Sequence, residues 1–200
     1  MKKILLTQRV DFIEDYNERR DSLDQQWIKF LFSCNLEGHL APNYLPLIKK
    51  MLRNEKYAGI LFTGGNTLHK YGGNAPERDA VEQYLINYSL HKNIPLLGIC
   101  RGMQKIQDFF GVKLLPVSGH ITKKLPVKYK GKWGSVNSYH TFGAKTSSPE
   151  LLVTGVSRDG VIKAIEHISR PLKGFMWHPE REKPFRKKDQ NHFREFFKSL

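Results

Sequence analysis

The stretch "IPLLGICRGMQ", residues 94–104, limits what this chain can fold into more than any other. "IPLLGI" reads as a buried strand. "RGMQKIQDFFG" (101–111) reads as a helix, with Met103, Ile106 and Phe110 facing inward and Gly111 closing it. A strand that passes through a glycine-flanked residue into a helix is the setting of a nucleophile elbow, G-x-S/C-x-G. Small neighbours let the backbone close into a strained turn. The apical side chain then points out at the helix N-terminus, where the helix dipole favours a thiolate. There the amide of Arg101 points toward an oxyanion formed at the sulfur. A cysteine that only packs needs neither Gly98 nor Gly102, so Cys100 is the expected nucleophile. Cys34, in "LFSCNL", has no flanking glycine and no helix directly after it, and is expected to pack.

Around this unit strands and helices alternate. "KILLT" (3–7) reads as a strand, and "WIKFLF" (27–32) as a second by its alternation. "NYLPLIKKMLRN" (43–54) places Leu45, Ile48, Met51 and Leu52 at helical spacing. "YAGILF" (57–62) is a strand. Residues 75–93 form a helix with Pro76 in its first turn and Val81, Tyr84, Leu85 and Tyr88 on one face. "VKLLPV" (112–117) is a strand after the elbow helix. This alternation implies βαβ units in a parallel sheet covered on both faces. The C-terminal part differs. "WGSVNSYHTF" (133–142), "LLVTGVS" (151–157) and "GVIKAIEH" (160–167) are strand-like, and the hairpin signal "RDG" joins the last two. "GFMWH" (174–178) is a final strand and "DQNHFREFFKSL" a terminal helix. The expected fold is a three-layer α/β domain: a mostly parallel sheet, helices on both faces, and a small antiparallel C-terminal annex. No linker or repeat divides the 200 residues, so a single domain, 1–200, is expected.

Composition narrows the class. The chain is 40% hydrophobic and 26% charged, the profile of a soluble globular protein. "MKKILLTQRVDFIEDY" begins like a signal peptide, but its apolar run is too short and acids follow at once. No stretch approaches the roughly 20 apolar residues of a membrane span. A cytoplasmic protein without a membrane partner is expected. The two cysteines form no metal-type spacing or disulfide framework, and the histidines form no HExxH pattern. No metal or cofactor is expected. The net charge of +14 points to polyanions (nucleic acid, anionic lipid or a phosphorylated substrate) or to a solubilising surface. The surplus is partly local, in "KKLPVKYKGK" (123–132) and "REKPFRKK" (181–188).

A thiol nucleophile needs a base and an orienter. "WHPER" (177–181) supplies both if it ends a strand, because His178 and Glu180, two apart, then share a face. Pro179 fixes the backbone between them. A surface turn is the other reading of "HPE" alone. "FTGGN" (62–66) ends a strand with two glycines and matches neither the P-loop nor the dinucleotide fingerprint. It is a plain turn or a second oxyanion donor.

Together, "TGG", "GICRGMQ" and "WHPE" resemble a class I glutamine amidotransferase domain, in that family's order and near its spacing, over nearly the whole chain. The resemblance implies a Cys100–His178–Glu180 triad and an oxyanion hole from the backbone of Arg101 and of Gly64 and Gly65. It also implies a site for a γ-glutamyl head. Gln104, one turn past the nucleophile, can face that pocket. In "VNSYH", residues Asn137, Ser138, Tyr139 and His140 would bind the α-amino and α-carboxylate groups, unless the stretch is only an edge strand. Arg101 and Trp177 stand where ammonia-supplying subunits typically have Leu and Phe, and they resemble the γ-glutamyl hydrolase branch. Phe142 departs from that branch, which often has Gln there. The implied function is cleavage of a small-molecule γ-glutamyl amide through a thioester, with no obligatory synthetase partner and no nucleic acid. The alternatives are a glutaminase that feeds ammonia to a separate synthetase and a repurposed basic binding scaffold. Lys128, Lys130 and Lys132 alternate and could rim the pocket mouth, which would favour an anionic leaving group.

Overall fold

The computed structural model describes residues 1–198. In chain order the strands are β1 (Lys2–Thr7), β2 (Arg9–Ile13), β3 (Glu18–Ser22), β4 (Leu36–Ala41), β5 (Gly59–Phe62), β6 (Leu96–Ile99), β7 (Leu115–Pro116), β8 (Ile121–Tyr129), β9 (Lys132–Tyr139), β10 (Phe142–Gly143), β11 (Leu151–Ser157), β12 (Ile162–His167) and β13 (Leu172–Phe175). The helices are α1 (Gln26–Ser33), α2 (Leu45–Asn54), α3 (Pro76–Lys92), α4 (Arg101–Phe109) and α5 (Lys187–Lys198).

Nine strands form one sheet in the order β4-β1-β5-β6-β13-β12-β11-β8-β9. The first five run parallel. The last four join antiparallel and continue the same sheet. The central parallel strands β5 and β6 are buried on both faces, so they read as unbroken apolar runs. On one face Trp27, Phe30 and Leu31 of α1 meet Phe193, Phe196 and Phe197 of α5. On the other lie Ile48 of α2, Val81 and Leu85 of α3, and Met103 and Ile106 of α4. Among the described residues, no helix is long and apolar enough to cross a membrane.

Three local expectations change. "WIKFLF" is helical: Trp27, Phe30 and Leu31 are buried at i, i+3, i+4, while Ile28 and Phe32 face solvent. A short apolar run fits either period, and the packing of α1 decides it. "VKLLPV" adds no strand to the main sheet. Only Leu115–Pro116 pair, with β10, in a separate two-stranded ladder. β13 stops at Phe175, so His178 lies beyond the strand. The terminal helix begins at Lys187, and residues 199 and 200 of the expected segment lie outside the described residues.

Candidate active site

Cys100 sits between β6 and α4 with φ 53° and ψ −107°, a backbone conformation that a non-glycine residue adopts only under strain. The flanking glycines make the turn possible. A Cβ at Gly98 would lie 2.6 Å from the Gly102 carbonyl carbon, and one at Gly102 would lie 2.6 Å from Phe62 Cβ. Helix α4 therefore starts pressed against β5 and β6. The Cys100 amide donates to the Phe175 carbonyl at 2.7 Å, which ties the elbow to β13.

The same end of the sheet delivers His178. Its backbone is extended, and Pro179–Arg181 then turn as a 3₁₀ helix. Glu180 thus reaches back through a turn, not along a strand as expected from "WHPE". His178 Nδ1 donates to Glu180 Oε1 at 2.7 Å, with both residues buried. His178 Nε2 is buried and makes no hydrogen bond of regular geometry. Burial would raise the Cys100 thiol. Attraction to His178 and the Arg101 amide outweigh burial and hold the thiol below its ordinary range. Burial would lower His178, but Cys100 and Glu180 raise it to about 10. Both shifts favour the thiolate and imidazolium forms of the pair.

Asn137 of β9 clamps His178. Its Nδ2 donates to the His178 carbonyl at 2.8 Å, and its Oδ1 accepts from the His178 amide at 2.7 Å. The Tyr139 ring stands edge-on to the imidazole at 5.7 Å. Gly64 lies against the imidazole, where a Cβ would approach His178 Cε1 to 2.8 Å.

A cavity of about 250 Å³ opens beside the sulfur, lined by Gly65, Asn66, Cys100, Gln104, Tyr139 and His140 among others. Of the residues expected to hold a γ-glutamyl head, Gln104, Tyr139 and His140 reach it. The expectation for Asn137 and Ser138 is corrected: Asn137 is spent on His178, and buried Ser138 faces Lys163. The ring of His140 is also spent, its Nδ1 on the Phe142 carbonyl at 2.7 Å and its Nε2 on Lys163.

The class I glutamine amidotransferase profile matches residues 18–200. The chain belongs to that family. The chain is 35% identical to the γ-glutamyl-CDP-amidate hydrolase of Campylobacter jejuni, over 88% of this chain and 89% of that one. It is 33% identical to the γ-glutamyl-γ-aminobutyrate hydrolase of Escherichia coli O157:H7, over 56% and 58% of the two chains. A solved protein of Thermoplasma acidophilum, assigned to GMP synthase, superposes with a TM-score of 0.75. It covers 99% of this chain and 93% of its own at 18% identity, a likeness of fold.

Sequence reasoning missed the support of the Gly64–Gly65 turn. Arg78 of α3 is fully buried. It donates to the carbonyls of Thr63 at 2.7 Å, Gly64 at 3.1 Å and Gly65 at 2.7 Å. In a trans peptide the N–H points opposite the C=O, so carbonyls turned toward α3 leave the following amides aimed away from it. Arg78 also pairs with Glu82 at 2.9 Å, and Glu82 and Asp79 hold the Arg101 side chain. One buried charge cluster thus ties the elbow to the glycine turn. The signal was present: Arg78, Glu82, Leu85 and Ser89 share one helical stripe, and all are buried.

The lysine rim does not stand as expected. Lys130 and Gly131, both at positive φ, form the turn of the β8–β9 hairpin, so the three lysines do not share one extended segment. Lys132 is seven residues from Tyr139 along β9, about 23 Å at the rise of a strand. Lys130 pairs with Glu166 at 2.8 Å. Lys130 and Lys132 line a different cavity, with Tyr129, Trp133 and Trp177. Arg9 and Arg181 are the basic residues that line the recess beside His178, Gly64 and Gly65.

Proposed function

We propose that this amidotransferase domain is a stand-alone γ-glutamyl amide hydrolase with a Cys100–His178–Glu180 triad. The observation that carries the reading is the convergence of a strained, glycine-flanked cysteine with a buried His178–Glu180 pair at the same end of the sheet. Cys100 attacks the γ-carbonyl, and the oxyanion takes hydrogen bonds from the backbone amides of Arg101, Gly64 and Gly65. The C–N bond breaks as His178 gives its proton to the leaving nitrogen. Water then attacks the thioester, His178 takes the water's proton, and glutamate leaves as the sulfur returns to thiolate.

The two recesses divide the substrate. The γ-glutamyl head lies beside Cys100, Gln104 and Tyr139. The leaving group lies on the side of His178, because the acid must reach the leaving nitrogen, and there Arg9 and Arg181 stand. Arg9, which pairs with Asp11, and Arg181 offer guanidinium groups to an anionic leaving group, with Asp24 an acidic residue on the same recess. The relative named for a CDP-amidate conjugate supports the same class. The test compares γ-glutamyl conjugates of matched size, one phosphorylated and one a polyamine, by glutamate release. The phosphorylated conjugate is expected to have the higher kcat/KM at low salt, with a margin that shrinks as salt screens exposed charges. Preference for the polyamine would overturn the anionic assignment. No glutamate from any γ-glutamyl amide would overturn the function.

A further inference from the structure

Lys163 of β12 is 1% exposed, in a strand that is otherwise apolar where it is buried. Burying an ammonium without partners is costly, and a methionine would fill the space. Its partners are unusual. The Nζ meets His120 Nδ1 at 2.7 Å, His140 Nε2 at 2.5 Å and Ser138 Oγ at 3.4 Å. His140 Nδ1 faces the Phe142 carbonyl, so it carries the proton and Nε2 must accept. His120 Nε2 faces Asp159 Oδ2 at 2.9 Å, so it too carries the proton and Nδ1 must accept. The Asp159 carboxylate also accepts from the Ser157 hydroxyl at 2.6 Å and is half exposed. The chain runs from a surface carboxylate through His120 to Lys163 and on to His140, which lines the cavity beside Cys100.

We propose that Lys163 is a positioning residue for the nucleophile: a buried cation that fixes the β9 end of the pocket through His140 and Ser138 and lends its positive charge to the Cys100 sulfur. The inference rests on the reading of Cys100 as the nucleophile. A neutral amine could also donate to both imidazoles. The charged form is favoured by the ionic groups around it, Asp159 from the β11–β12 turn and Cys100 from the elbow. Burial pushes Lys163 down to about 7, while these two anions act to hold its proton. His140, lowered to about 3 by burial first and then by Lys163, stays a neutral acceptor.

The test has two parts. In the wild-type protein, nitrogen NMR of the histidine rings should find a proton on His120 Nε2 and on His140 Nδ1, with His120 Nδ1 and His140 Nε2 accepting. The opposite tautomer at either ring would overturn the network. In Lys163→Met and Lys163→Gln, the pH midpoint of Cys100 alkylation, read at that peptide by mass spectrometry, should rise by about half a unit or more. Glutamate release below neutral pH should fall several-fold in kcat, with KM changed less than about twofold. A midpoint equal to wild type in the variants that fold would overturn the role of Lys163. Wild-type protein that releases no glutamate would instead overturn the proposed function, and the alkylation midpoints would still judge Lys163.

Discussion

At the residue scale, the account depends on which of two cysteines reacts. Burial pushes the Cys34 thiol up to about 11, whereas His178 holds Cys100 below its ordinary range. Cys100→Ala and Cys100→Ser should lose several powers of ten in turnover, and Cys34→Ala should stay within about twofold. Steady-state assays of the three variants decide it. The pH dependence follows with its sign. Cys100 alkylation should be flat through neutral pH, because the thiolate persists above its depressed pKa. It should fall as acid protonates the sulfur. A rate that climbs steeply through pH 8 to 9, as for a free thiol, would contradict the ion pair. Gly64 gives a second test. An added methyl would approach His178 Cε1 to 2.8 Å, so Gly64→Ala must shift the ring or the turn. We expect kcat to fall about tenfold or more with the melting temperature nearly kept, measured by kinetics and calorimetry. Cys100, His178 and Glu180 were legible because glycine and proline mark the backbone around them. Lys163 was not, since one lysine in "GVIKAIEH" reads as an outward strand position until the sheet buries both faces.

At the element scale, α1 shows where periodicity runs out. Six residues of "WIKFLF" fit a strand as well as a helix, and only α5 packing on Phe30 separates them. The ring centroids of Phe30 and Phe193 are 4.8 Å apart and nearly perpendicular. Phe30→Ala should therefore cost about 3–5 kcal/mol, and Phe32→Ala, at a position 71% exposed, within about 0.5 kcal/mol. Urea denaturation of both variants checks this, and equal losses would put the two rings on one face, as in a strand. The helix α3 carried a stronger pattern. Its apolar face was legible, but the charges within the buried stripe were not read as a clamp on the glycine turn. A buried arginine becomes intelligible only when the carbonyls of Thr63, Gly64 and Gly65 are seen to converge on it.

At the scale of the whole molecule, the sheet order explains why distant motifs meet. β5, β6 and β13 are adjacent and parallel, so "TGG", "GICRG" and "WHPE" all follow the same end of the sheet. Ligands of open α/β sheets gather outside the carboxyl ends of the strands. The adjacency of β5 and β6 could be expected from alternating strands and helices, but the parallel pairing of β13 with β6 was not read from the sequence, and the hairpin of β8 and β9 could not be placed from its lysines. Lysines alternating in sequence share a face only if the strand continues, and here it turns at Lys130. Arg9 and Arg181, rather than the lysine run, line the recess beside His178. The central claim is that turnover passes through a glutamyl thioester on Cys100. Rapid acid quench during turnover of a γ-glutamyl amide, followed by peptide mass spectrometry, measures it directly. The account predicts one glutamyl adduct, on the peptide holding Cys100, that hydroxylamine removes and that His178→Asn prevents. Undiminished turnover in Cys100→Ala, or a glutamyl adduct on a different residue, would contradict it.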